Sequence, residues 1–213
     1  MKTALVAGAT GLIGGQLLDL VLKDGYYEKV IALTRKPLDI QSNKLHNVVI
    51  DFTQLQSIAT DLKADDIYCC LGTTIKQAGS KEVFRKVDYE YPTELAKITK
   101  SNGAKQYLLV SALGANSSSN IFYNQVKGGT ELAINEAGFE SVHIMRPSLL
   151  IGPRKEQRSG EEAAKVFYKY LGFLIPKKYK GIESIKVARA MIAIARQNKA
   201  GHFIHESIEL QSF

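Results

Sequence analysis

Short apolar runs rich in Val, Ile and Ala alternate along the chain with longer segments whose apolar residues recur at helical spacing. That alternation predicts a doubly wound α/β domain, a parallel sheet with helices on its faces. Strands are expected at 3–7, 29–33, 47–50, 66–71, 106–110 and 141–145, with a late strand at 202–205. Helices are expected at 12–23, 54–62, 89–101 and 123–137. Gly25, Gly103 and Gly138 stand just past three of these helices, where a residue tolerant of left-handed backbone ends the last turn. After the sixth strand, Pro147, Gly152 and Pro153 open an irregular stretch that runs through RKEQRSGEE, followed by helices at 161–171 and 185–198. NSSSN at 116–120 reads as a loop. Residues 1–213 are therefore expected to form one domain, with 147–200 as a small cap rather than a second domain.

The first expected strand runs into LVAGATGLIGGQLL, residues 5–18. Gly8 permits a tight turn out of the strand, Gly11 lets backbone approach a pyrophosphate, and Gly14 lets the helix pack on the strand. Thr10, Leu12 and Ile13 complete the turn and the start of the helix, whose free N–H groups and positive dipole end favour phosphate. A P-loop needs Lys and then Ser or Thr after its last glycine; here Gly15 and Gln16 follow Gly14. The pattern points to a dinucleotide.

The end of the second strand indicates which one. It reads Ala32, Leu33, Thr34, Arg35, Lys36, with no carboxylate to accept hydrogen bonds from ribose hydroxyls. Arg35 suits a 2′-phosphate and stacking on adenine, and Lys36 adds charge, so NADP(H) is favoured over NAD(H). Ligands of open parallel sheets lie outside the carboxyl ends of the strands. Asp51 and Phe52 are accordingly expected beside the adenine, and Leu71, Gly72, Thr73 and Thr74 beside the ribose and pyrophosphate. Helix capping at Asp51 and a turn at Gly72 are compatible with those roles.

Composition narrows the alternatives. With 45% hydrophobic and 23% charged residues, the chain is neither disordered nor a membrane protein in type, and no apolar stretch reaches the length of a membrane span. Gly8 to Gly14 interrupts the first apolar run before it reads as a secretory signal, so the expected location is cytoplasmic. Cys69 and Cys70 are adjacent in an expected strand and face opposite ways, which suits reduced packing residues better than a disulfide. They form no zinc-ligand spacing with His46, His143, His202 or His205, and no metal is expected. The net charge of +7 is scattered, densest at Lys177, Lys178 and Lys180, with no interleaved aromatic repeat; no nucleic acid is expected as a partner.

Ser111 ends the fifth strand, and YNQVKGGTE follows with Tyr123 and Lys127. Positions i and i+4 share a helix face, so the Lys127 ammonium lies beside Tyr123. A positive charge there stabilises the phenolate and brings the tyrosine toward a useful range for proton transfer. Tyr123 would then protonate a carbonyl oxygen while Ser111 holds that oxygen.

GATGLIG, the Ser111, Tyr123 and Lys127 set, and the order of strands resemble the short-chain dehydrogenase/reductase superfamily in its extended and atypical branch. CCLGTT, QAGS, FRKVDYEY, ELAK, FYNQVKG, MRP and RKEQRSGE resemble in order the Tat-interactive-protein type within it, over nearly the whole chain. The resemblance implies a Rossmann fold, NADPH binding and an intact Ser-Tyr-Lys set. It also implies that Lys127 reaches the nicotinamide ribose hydroxyls and that Pro147 lies near the carboxamide. Many reductases of the superfamily place an Asn on the helix after the fourth strand; VDYEYPTELAK has Asp88 and no Asn.

The leading expectation is an NADP(H)-dependent oxidoreductase acting on a small carbonyl or alcohol. A second is a non-catalytic NADP(H) sensor that binds a protein partner, and a homo-oligomer is compatible with either. A sugar-nucleotide epimerase ranks third, because such enzymes need a larger C-terminal substrate domain.

Overall fold

Strand β1 (Lys2–Ala7) is buried on both faces, and its residues divide alternately between two cores. Ala4 and Val6 join one cluster; Leu5 and Ala7 join the other. Such two-sided burial explains why the strands read as continuous apolar runs. The computed structural model describes residues 2–152 and 180–213. Around β1 stand β2 (Tyr27–Thr34), β3 (Leu45–Val49), β4 (Asp66–Cys69), β5 (Gln106–Val110), β6 (Ser141–Arg146) and β9 (Gly201–Glu206). The order across the sheet is β3-β2-β1-β4-β5-β6-β9, with every pairing parallel. The late strand expected at 202–205 is thus the edge strand β9. A separate parallel pair joins β7 (Leu150–Ile151) to β8 (Ile182–Glu183).

Helix α1 (Leu12–Lys23) and helix α6 (Ser184–Ala195) cover one face, contributing Leu17, Leu18, Val21, Val187 and Met191. Helices α4 (Tyr91–Ser101) and α5 (Phe122–Glu136) cover the other, with Leu95, Ala96 and Ile134. Two short helices, α2 (Ile75–Ala78) and α3 (Lys81–Arg85), precede α4, and α7 (Ser207–Leu210) follows β9.

Chain order reverses between β1 and β4, which opens a crevice at their carboxyl ends. At the opposite end the Asp66 carboxylate is fully buried and satisfied by the Tyr27 hydroxyl at 2.7 Å, Lys2 Nζ at 3.1 Å and Gln106 Nε2 at 3.1 Å. The polar groups at that end are used in holding strands together.

The structure departs from the sequence reading in several places. The expected helix at 54–62 is a 3₁₀ segment, Phe52–Asp61, interrupted by non-helical backbone at Gln54 and Ile58; it buries only Phe52 and Leu55, too little for an amphipathic α-helix. Helix α4 begins later than expected, after α3 and a π-helical turn, Lys86–Glu90. Those two elements bury one residue each, Phe84 and Asp88, so no apolar stripe announces them. Gly103 and Gly138 have the expected positive φ (+92° and +82°), whereas α1 ends through extended backbone at Asp24 and Gly25 is not left-handed. The expected helix at 161–171, Pro153 and Lys177 and Lys178 lie outside the described residues, as does half of the cap expected at 147–200.

Candidate cofactor and catalytic site

The glycine turn leaves β1 directly into the crevice. Gly8 has φ +82°, and a Cβ there would stand 2.6 Å from the Cys70 carbonyl oxygen on the neighbouring β4 connection. The Gly11 N–H donates to the Gly8 carbonyl at 2.9 Å, closing the turn. A Cβ on Gly14 would overlap the same carbonyl, so the third glycine sets the approach of α1. Gly11 is the N-cap of α1 and brings no side-chain cap, which leaves the first-turn N–H groups for an outside acceptor. Thr10 and Gly11 are exposed at the tip and Leu12 is half-buried, while Ile13 and Gly14 are buried against the sheet and serve packing. A bare helix N-terminus framed by glycines fits a pyrophosphate.

Arg35 and Lys36 are exposed just past β2. Asp51 accepts from the Thr53 N–H at 3.0 Å and caps the 3₁₀ segment; that bond, with the Arg35 charge in support, holds its carboxyl below the usual range. The capping role is therefore present. Phe52 is buried and its ring stacks on Tyr91 at 5.7 Å. Sequence reading missed Tyr91, which lies close enough to Asp51 and Arg35 to feel both charges; burial first, then Asp51, raises its phenol pKa.

Beyond β4, Leu71 is half-buried, Gly72 is exposed, and Thr74 caps α2 by accepting from the Gln77 N–H at 3.1 Å. The Thr73 N–H donates to Asp88 Oδ2 at 2.8 Å. Asp88 Oδ1 in turn faces Lys127 Nζ at 2.9 Å, and both side chains are buried. The backbone carbonyl of Asp88 accepts from the Thr130 hydroxyl at 2.7 Å. The π-helical turn thus delivers one carboxylate from outside α5 onto the Lys127 ammonium. Burial by itself favours a neutral lysine; Asp88, with Tyr123 in support, outweighs it and holds the Lys127 pKa above its ordinary value. A Cβ on Gly72 would stand 3.4 Å from Asp88 Oδ1 and 3.6 Å from Lys127 Nζ, so the pair lies directly beneath the exposed Gly72 backbone.

Tyr123 is half-buried, with its ring 5.5 Å from that of Phe84. Helix α5 can lie this close to the 112–121 loop only because Gly128 has no side chain: a Cβ there would overlap the backbone of Asn116 and Ser117. Ser111 is buried at the end of β5, its N–H bonded to the Met145 carbonyl at 2.8 Å. Its hydroxyl donates to Glu131 Oε1. Glu131 is buried and is gripped by Arg146, Nε to Oε1 at 3.0 Å and Nη2 to Oε2 at 2.6 Å. Pro147 is buried next to Arg146, and its carbonyl accepts from the Leu113 N–H at 3.0 Å. Sequence reading missed Glu131 and Arg146. The available signal was spacing, since Tyr123, Lys127 and Glu131 fall at i, i+4 and i+8 on one face of α5.

Ser111, Tyr123, Lys127 and Pro147 thus belong to β5, α5 and the end of β6, while the glycine turn, Arg35 and Asp51 belong to the β1 and β2 side of the crevice. Among the described residues, no group of three or more His, Cys, Asp or Glu stands together as a metal site.

Residues 8–148 match the model of the NAD(P)H-binding family. The chain is 34% identical to Protein HTATIP2 of Rattus norvegicus over 195 residues, 90% of this chain and 80% of that one. It is 36% identical to Protein FMP52, mitochondrial, of Candida albicans over 159 residues, 72% of this chain and 69% of that one. Among solved structures, MoeE5 in complex with UDP-glucose and NAD superimposes with a TM-score of 0.74 at 17% identity, over 95% of this chain and 74% of that one. UDP-glucose 4-epimerase of Thermotoga maritima with UDP-glucose gives 0.71 at 15% identity, over 96% and 76%. At such identities the likeness shows the fold, a single-domain Rossmann arrangement. The cytoplasmic location expected from the sequence does not follow from these relatives, because the fungal one is named mitochondrial. Among the described residues, no helix is long and apolar enough to cross a membrane.

Proposed function

The chain belongs to the NAD(P)H-binding family, and from that premise we propose that it is an NADP(H)-dependent oxidoreductase of small carbonyls or alcohols, working through Ser111, Tyr123 and Lys127. The observation that supports it most is the Lys127 ammonium, buried, charged and fixed by Asp88 at 2.9 Å, one helical turn from Tyr123 and beneath the exposed Gly72. A buried cation is costly to maintain, and here it stands where a phenolate would need a counter-charge.

The glycine turn and the start of α1 would hold the pyrophosphate, Gly72 to Thr74 the ribose beside it, and Arg35 and Lys36 a 2′-phosphate. A bound nicotinamide supplies the two electrons that reduce the carbonyl carbon. Tyr123 gives its hydroxyl proton to the carbonyl oxygen, and Lys127 stabilises the phenolate left behind. Ser111 positions the oxygen at the end of β5. Asp88 keeps Lys127 charged and pointed, in the segment where many reductases of the superfamily carry Asn. In the reverse direction Tyr123 takes the alcohol proton.

The test is NADPH oxidation across a panel of small carbonyls including phenanthrenequinone. Tyr123→Phe should lower turnover by about 10²- to 10⁴-fold, the usual worth of a positioned acid, and leave the NADPH dissociation constant within about twofold. Undiminished turnover in that variant contradicts the assignment. Tight NADPH binding by the wild type, with no oxidation by any carbonyl, favours the sensor.

A further inference from the structure

A serine hydroxyl has one proton to donate. At Ser111 that proton is given to Glu131. Glu131 is almost fully buried, and Arg146 grips both of its oxygens. Guanidinium is a donor only and stays charged, so the Glu131 carboxylate is ionised and accepts from every neighbour it has here. Its hydrogen bonds to Arg146 are the largest contribution raising the pKa of that guanidinium, which also reaches Glu206 at 3.3 Å across the sheet edge. The arrangement is anchored from β6, β9 and α5 together.

We infer that Glu131 sets the polarity of Ser111: the serine offers the site lone pairs rather than a proton, so the group it recognises is a hydroxyl donor, the alcohol member of the redox pair. This rests on the reading of Ser111 as a site residue. For a carbonyl to be held by the Ser111 proton, the bond to an ionised carboxylate must be exchanged for a bond to a neutral oxygen, which is weaker by about tenfold in equilibrium terms. An alcohol needs no such exchange. Glu131 is then a positioning residue, acting through Ser111, and the ground state of the site favours alcohol over carbonyl.

Glu131→Gln removes the charge that holds the Ser111 proton. Arg146 donates to both Glu131 positions, Nε at 3.0 Å beside the Ser111 contact and Nη2 at 2.6 Å, so either orientation of the amide sets its NH₂ against one guanidinium N–H. Ser111 then faces either an NH₂ donor or a neutral amide oxygen, and in both cases its proton is more readily given to the site. The probes are cyclohexanol and cyclohexanone, which share a shape, titrated by ligand-observed NMR onto protein saturated with NADPH for the alcohol and NADP⁺ for the ketone, so neither is turned over. The wild type should bind the alcohol severalfold more tightly, and Glu131→Gln should abolish or reverse that preference. Should Glu131→Gln fail to fold, Ser111→Ala serves instead, and the two probes should then bind alike.

A wild type that binds the ketone as well as the alcohol, or binds neither, overturns the inference, as does a preference unchanged in both variants. A wild type without the preference but with Tyr123-dependent turnover intact would sink this inference alone. A retained preference without Tyr123-dependent turnover would sink the proposed reaction instead.

Discussion

Asp88→Asn removes one charge from the most deeply buried ion pair of the site and changes almost nothing in shape. At 2.9 Å and an effective dielectric constant of about 20, the attraction between Lys127 and Asp88 is about 6 kcal/mol before desolvation is counted. Breaking such a pair on one side costs about 3–5 kcal/mol, because the remaining charge stays buried. The asparagine can keep one acceptor toward the Thr73 N–H, but its NH₂ then faces the ammonium. Burial, the largest influence on Lys127, now acts with Tyr123 as the chief remaining opposition, and the lysine pKa falls below its present raised position. Cys69 also faces Lys127, and burial keeps its thiol protonated in this range.

Two outcomes follow for the variant. In urea denaturation it should lose about 3 kcal/mol or more at neutral pH. Its NADPH affinity, measured by fluorescence titration against pH, should begin to fall at a lower pH than in the wild type, because Lys127 without Asp88 gives up its proton earlier. In the wild type the raised lysine contributes stability that is complete below the ordinary value of 10.5 and is lost only as pH rises through its higher folded value. A variant with wild-type stability and the same binding profile against pH would refute the claim that Asp88 holds Lys127 charged.

Three further outcomes test other parts of the account. Gly14→Ala forces a methyl group into the Gly8 carbonyl and should destabilise by about 3 kcal/mol or more in urea denaturation while weakening NADPH binding; a neutral substitution would contradict the packing role. Arg35→Ala should weaken NADPH about tenfold or more and NADH far less in calorimetric titration, and equal losses would remove the basis for NADP(H) preference. His143 is buried with its ring nitrogens on Ser141 and His205, and burial first, then the charges of His205 and Lys199, push its pKa down to about 4. The unfolded chain takes up that proton as pH falls below about 6.5 and the folded chain does not, so about 3 kcal/mol is lost between pH 6.5 and 4. His143→Gln should show a distinctly smaller drop in urea midpoint over that interval.

Much of the frame was legible because it follows from local pattern. Helix α1 was read at its observed bounds, since the glycine turn fixes its start and a dense apolar stripe its length. Strand β3 is offset by two residues at its start, where Leu45 is half-buried and His46 exposed at the sheet edge and the signal is weak. The α3 helix and the π-helical turn were invisible because each buries a single residue, yet that turn is what carries Asp88 to Lys127. Sequence could note an aspartate in place of Asn; only the fold shows the lysine it pairs with. Glu131 stood in plain view in YNQVKGGTE, but its meaning depends on Ser111 and Arg146, which two other strands bring to it.

The central claim is that Tyr123 and Lys127 serve carbonyl reduction by NADPH, and transfer of label tests it most directly. NADPH carrying deuterium at nicotinamide C4, incubated with the protein and a small carbonyl, should leave deuterium on the carbinol carbon of the product. The wild type should transfer it and Tyr123→Phe should not, although both bind the cofactor. Tight NADPH binding with no label in any product, or equal labelling by both proteins, would contradict the account.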